Sequence, residues 1–216
     1  MQVMTGKIFL GLGSIGTLSG AGIGTYLYTK DSIWNHVKDR VLGNGPEFTD
    51  SWKFKFKQMK EESQDKFPEL EEIKKKHSGD ETKGGEALKN WCSKSYSYTY
   101  KSAFNSENKD LLKKIERYCI QSLEEKFTSL LQSGHKVLGN GTTESQTDYD
   151  ANYKKIENYS TSKEGKLPEE IKSLKSSDIA SKWTTLQSWC RKIQSIPFTQ
   201  EGDTFKVGKE LCIKTS

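Results

Sequence analysis

The residues whose type and spacing carry the most chemistry are four cysteines: Cys92, Cys119, Cys190 and Cys212. Cys92 and Cys190 each follow a tryptophan, and Cys119 and Cys212 each precede an isoleucine, so the four divide into two similarly built pairs. Four cysteines permit three connectivities, and this division favours Cys92 with Cys119 and Cys190 with Cys212. In an oxidising compartment, such bonds would close loops of about 20 to 30 residues and stabilise each loop by ~3 kcal/mol. In a reducing one, the same residues read as thiols of a helix core, because cysteine is commonly buried. The compartment decides between these readings. Zinc is disfavoured, since no CxxC is present and His36, His77 and His135 lie far from any cysteine in sequence. No metal or other cofactor is expected.

Catalysis would need a nucleophile, a base and an orienting group, and no HExxH, GxSxG or GxxxxGK[ST] word is present. The expectation is a protein that is not an enzyme. The stretch Gly11-Leu12-Gly13-Ser14-Ile15-Gly16 is a formal GxGxxG, with Asp31 downstream. A dinucleotide fold also needs a sound helix after the third glycine and several later buried strands. Gly20, Gly22 and Gly24 interrupt that helix and no apolar strand run follows. The 216 residues carry a net charge of +5, but eight lysines between Lys53 and Lys76 alternate with six acids. That pattern describes a solvated face, not a phosphate track, and no nucleic-acid partner is expected. Asn140-Gly141-Thr142 and Asn158-Tyr159-Ser160 match glycosylation sequons, which matter only in a eukaryotic secretory setting.

The elements that must position these residues repeat. Val41-Leu42-Gly43-Asn44-Gly45 recurs as Val137-Leu138-Gly139-Asn140-Gly141. Phe56-Lys57-Gln58-Met59 is answered by Tyr153-Lys154-Lys155-Ile156, and Lys66-Phe67-Pro68-Glu69 by Lys166-Leu167-Pro168-Glu169. Trp91-Cys92 and Tyr118-Cys119-Ile120 return as Trp189-Cys190 and Leu211-Cys212-Ile213. Ordered words at a nearly constant offset indicate a tandem duplication. The division is helical repeat 1 over 31–120, a linker helix over 121–136 and helical repeat 2 over 137–216.

Trp52, Phe56 and Met59 share a helical stripe, and Tyr149, Tyr153 and Ile156 keep the same spacing, which predicts helices there. Asp50 or Ser51 is expected as the cap of the first, and Pro68 and Pro168 as openers of the next. A third helix carries Ala87, Leu88, Trp91 and Cys92, matched by Ile179, Trp183, Leu186, Trp189 and Cys190. A fourth carries Leu111, Leu112, Ile115 and Cys119 and is expected to run on through Leu123, Phe127 and Leu130. Tyr96, Tyr98 and Tyr100 fit either a short strand or a helix end. Glycine-rich polar stretches at 78–85, 139–148 and 160–166 read as loops. The predicted fold is all-α: an N-terminal transmembrane helix followed by two small helical bundles.

The anchor reading rests on Ile8–Tyr28, 21 residues without a charge. As a helix they cover ~31 Å, about the thickness of a bilayer's hydrocarbon layer. Lys7 and Lys30 bracket the run, Tyr26 and Tyr28 suit the headgroup level, and residues 1–30 form the predicted anchor or signal segment. Gly16, Gly20 and Gly24 fall on one face as GxxxGxxxG, the pattern of a self-associating membrane helix. A cleaved signal peptide ending near Ser19-Gly20-Ala21 is the rival reading, and would leave a secreted body. Lys30, Lys38 and Arg40 against Lys7 favour a cytoplasmic body by charge count, although long domains often cross regardless.

A Gly-rich hydrophobic leader, the stretch Thr29-Lys30-Asp31-Ser32-Ile33, and tandem units with Trp-Cys and closing Tyr-Cys or Leu-Cys words resemble large paralogous families of surface proteins in haemotropic mycoplasmas. The resemblance covers Lys7 to Cys212. It implies exposure at the cell surface, a body outside a single-pass membrane anchor, and a role in host contact or antigenic diversity. It supplies no catalytic residues. Membrane lipid, a second copy through the anchor, and a host protein are the partners expected. The alternatives are a cytoplasm-facing membrane-tethered scaffold and a secreted protein.

Overall fold

The computed structural model describes residues 30–63, 65–102, 106–160, 165–175 and 178–215. The segment Ile8–Tyr28, with its glycine face at Gly16, Gly20 and Gly24 and the GxGxxG word, lies outside the described residues. Among the described residues, no helix is long and apolar enough to cross a membrane.

Most of the described chain is helical. A short strand β1 (Asp31–Ser32) leads into α1 (Ile33–Val37), and a 3-10 turn at Pro46–Phe48 into α2 (Thr49–Glu61). There follow α3 (Pro68–Lys76), α4 (Glu81–Ser95), β2 (Thr99–Lys101), α5 (Lys109–Cys119) and α6 (Leu123–Ser129). The second half holds β3 (Lys136–Val137), α7 (Gln146–Glu157), α8 (Glu169–Lys172), α9 (Ile179–Gln194), α10 (Asp203–Leu211) and β4 (Ile213–Lys214). The all-α expectation needs one amendment. Two antiparallel ladders are present, β1 with β2 and β3 with β4, each tying a chain segment back onto its own half. The tyrosine run supplies one of these strands: Tyr96 and Tyr98 precede β2, and Tyr100 lies within it.

Helix α2 buries Trp52, Phe56 and Met59, the stripe read from the sequence. Its expected caps do not form. Phe48 stands at the N-cap without a side-chain hydrogen bond, and Ser51 is buried inside the helix, where it accepts a hydrogen bond from Lys126 at 3.1 Å. Pro68 occupies the first helical position of α3, and Pro168 falls one residue earlier, as the N-cap of α8.

The expected loop at 78–85 is the second correction, because α4 begins at Glu81 and takes in Gly84 and Gly85. A Cβ on Gly84 would stand 2.2 Å from the Phe56 ring, and one on Gly85 would stand 2.9 Å from the α2 backbone at Lys53. These glycines let two helices approach closely; they do not break one. Asp80 caps the helix by accepting the Lys83 N–H.

The fourth expected helix is in fact two. Helix α5 stops at Cys119, Ile120 turns extended, and Ser122 with Glu125 forms a capping box that starts α6. Leu42 donates its N–H to the Cys119 carbonyl at 2.9 Å at this break, which draws the chain away from the helix.

Matched words occupy matched places. Leu138 donates to the Cys212 carbonyl at 2.8 Å, the counterpart of Leu42 and Cys119. In one half α2 packs on α4, and in the other α7 packs on α9. The buried apolar side chains form one continuous cluster that includes Leu123 and Phe127 of α6. Phe198 lies 5.6 Å from Phe48 and 5.0 Å from Phe205 by ring centroids, so a side chain of the second half sits against the first.

Candidate functional site

The four cysteines come together in the pairing favoured by sequence. Cys92 on α4 meets Cys119 at the end of α5, and Cys190 on α9 meets Cys212 after α10, both pairs at disulfide distance. All four residues are fully buried and lie within the apolar core. Each link fastens the last turns of one helix to the end of the next, α4 to α5 in the first half and α9 to α10 in the second.

Three charged clusters surround this core. In the first, Glu62 accepts hydrogen bonds from Arg117 at 2.7 Å and from the Tyr118 hydroxyl at 2.6 Å, while Lys114 pairs with Asp65 at 2.7 Å. Burial pushes both carboxyls upward, but these donors outweigh it and hold them below their ordinary values. In the second, buried Lys55 of α2 meets Glu125 of α6 at 2.8 and 2.9 Å, and Gln58 adds a bond at 3.1 Å. Burial lowers the Lys55 ammonium, and the Glu125 charge opposes that shift. In the third, Glu144 accepts the N–H groups of Gly139 and Gly141, the Gln187 amide and the Tyr149 hydroxyl. Burial raises its carboxyl, and those four donors more than reverse the effect. Gly139 adopts a φ of 105° in this turn, so the glycine is required there by backbone conformation.

Every carboxyl with a shifted titration among the described residues is lowered, including Asp148 between Lys136 and Lys214. A general acid needs the opposite, a carboxyl raised toward neutrality. The clusters tie elements together: one joins α2 to the start of α6, one α5 to the end of α2, and one the Gly139 turn to α7 and α9. Among the described residues, no group of three His, Cys, Asp or Glu could hold a metal ion. His36 lies 2.5 Å from Asp31, and His77 sits at the C-cap of α3.

The concave feature best suited to a ligand is a groove of about 640 Å³ between α3 and α4. Phe67, Ile73, Trp91 and Tyr98 form its apolar lining, and Lys76 and Lys94 stand over it. Phe67 and Trp91 meet edge to face, with centroids 6.4 Å apart. Trp91 lies on the helix expected to carry it beside Cys92 and is only partly buried. The signal that could have found the groove was the pairing of Phe67 with Trp91 in both words, Lys-Phe-Pro-Glu and Trp-Cys, once the helices were known to touch. A larger open cleft of about 840 Å³ runs beside the start of α3 between Asp65, Lys66, Glu71, Glu72 and Lys75, where charges of both signs face water.

No family model matches the chain, and the searches of curated proteins and of solved structures return no match either.

Proposed function

We propose that this chain is a single-pass, membrane-anchored surface protein that acts by binding a host or neighbouring molecule through its helical body, and not by catalysis. The observation that carries the reading is the pair of fully buried cysteine pairs at disulfide distance, one in each half. Structural disulfides persist in oxidising surroundings and are rare in the cytosol, so the pairing supports a body outside the cell. The resemblance to surface-protein families of haemotropic mycoplasmas supports the same placement and a role in host contact or antigenic diversity. The 21-residue uncharged run at Ile8–Tyr28 supplies the anchor, and Gly16, Gly20 and Gly24 a face for self-association. Matched cysteine pairs and matched Leu42 and Leu138 hydrogen bonds support two tandem helical units. The groove at Phe67, Trp91 and Tyr98 is the binding surface assigned to the first unit. Carboxyls held ionised by their donors favour recognition over acid–base chemistry.

Intact cells treated with protease should lose the body, and mass spectrometry of the native chain should find no free thiol. A body that survives until the cells are permeabilised would overturn the outward placement. One observation favours a second reading, a cytoplasm-facing tethered scaffold: Lys30, Lys38 and Arg40 lie on the body side of the run against Lys7 alone. Four free cysteines in freshly extracted protein would select it.

A further inference from the structure

We infer that the end of the body where the chain enters is a lipid-facing surface, built to rest on anionic headgroups with Trp34 and Tyr98 as interfacial anchors and lysines around them. This deepens the anchored reading and rests on it. Asp31 in β1 stands three steps along the chain from Tyr28, the last residue of the uncharged run. Even fully extended these steps reach about 10 Å at ~3.4 Å each. The headgroup layer is itself some 5 to 8 Å deep on each side of a bilayer, so β1 lies at or just above it.

The chain's entry is fixed to one patch of the body. Asp31 pairs with Lys101 and Ser32 with Thr99. Ile33 donates to the Tyr98 carbonyl at 2.9 Å, and Trp34 to the Tyr96 carbonyl at 3.0 Å. Trp34 and Tyr98 are 43% and 53% exposed, the two most exposed large apolar side chains among the described residues. The Trp34 ring lies 5.5 Å from that of Tyr96, so it is braced and does not swing freely. A soluble protein gains nothing by leaving two aromatics beside its chain entry in water. At a headgroup layer the same pair buries its rings while its polar edges stay wet.

Charge agrees with this assignment. Lys30, Lys38 and Lys94 are exposed and have no carboxylate partner among the described residues, and Lys101 adds a fourth, shared with Glu107. Against them stand Asp39, which is exposed, Glu107, which is paired with Lys101 and Lys109, and Asp31, whose charge is occupied by Asn35 and His36. Basic side chains within a Debye length of an anionic membrane are attracted to it, and their long stems let the ammonium reach the phosphates. Leu130, the C-cap of α6, and Ile196, two residues beyond α9, are the other exposed large apolar side chains, at 38% and 41%. Tyr98 also rims the groove, so a partner entering the groove would do so beside the bilayer.

The test uses the full chain reconstituted into vesicles of phosphatidylcholine and phosphatidylglycerol that carry lipids brominated near the headgroup. Of the five tryptophans, Trp52 and Trp189 are buried and Trp91 and Trp183 partly so, which leaves Trp34 as the exposed reporter. Brominated lipid should quench part of the tryptophan emission, and Trp34→Phe should abolish that part. Vesicles of phosphatidylcholine alone, or the Lys38→Glu/Lys94→Glu variant, should reduce it. Flotation after an alkaline wash is measured on the same samples. Protein that floats but shows no Trp34-dependent quenching overturns the docking surface and leaves the anchor standing. Protein that fails to float overturns both.

Discussion

At the residue scale, the molecule uses carboxylates as acceptors for backbone turns. Glu144 is the densest case, gathering two glycine N–H groups, a tyrosine hydroxyl and an amide. Glu144→Gln keeps the size but replaces a charged acceptor by an amide whose nitrogen faces those donors. It should destabilise the fold by about 2 kcal/mol, read as a lower midpoint in urea unfolding. Acidification should act on the same groups. Glu62, Asp65, Glu144 and Asp148 titrate below their ordinary values in the folded chain, so the unfolded chain takes up protons first as pH falls. Their contribution is present above the unfolded carboxylate range and is lost as pH drops through the folded values. The thermal midpoint should therefore be level between about pH 7 and 5 and should fall steeply below about pH 4. A midpoint that stayed level down to about pH 3 would contradict the lowered carboxyls.

At the scale of elements, the informative residues are glycines that sit inside a helix. Gly84 and Gly85 lie at the closest approach of α4 to α2. Gly85→Ala would gain roughly 1 kcal/mol of helix propensity but would press a methyl group onto main chain that cannot turn aside. The clash wins, and a net loss of about 2 kcal/mol is expected in chemical denaturation. Gly79→Ala, where a Cβ meets nothing within 4 Å, serves as the control and should change stability by less than about 0.5 kcal/mol. The hydrophobic stripe through Trp52, Phe56 and Met59 was legible because burial on one side imposes a 3.6-residue period on any helix. The Gly84-Gly85 pair was not, because glycine is a breaker in isolation and a spacer only when a second helix lies against it. The break at Ile120 was hidden for a similar reason. Apolar residues continue on period from Leu111 through Phe127, and only the Leu42 hydrogen bond to Cys119 and the Ser122–Glu125 box divide the run.

At the scale of the whole molecule, the two halves share a core and should unfold together. Phe198 stands between Phe48, Phe205 and the Lys126 ammonium, 4.7 Å from its ring, so it belongs to both halves at once. Phe198→Ala should cost about 3 to 5 kcal/mol and should lower the hydrogen-exchange protection of α2 as well as that of α9. Loss confined to α9 would mean that the halves are independent. Composition, the uncharged run, the helical stripes and the paired cysteine words were determined by the sequence alone, because each depends on local periodicity or on self-similarity along the chain. The groove at Phe67, Trp91 and Tyr98 was decided only by tertiary structure, as were the Lys55–Glu125 bridge and the gathering of Trp34 and Tyr98 at the chain entry. Those features join residues tens of positions apart, and nothing in a linear pattern says which side chains a packed core will leave exposed on the same end.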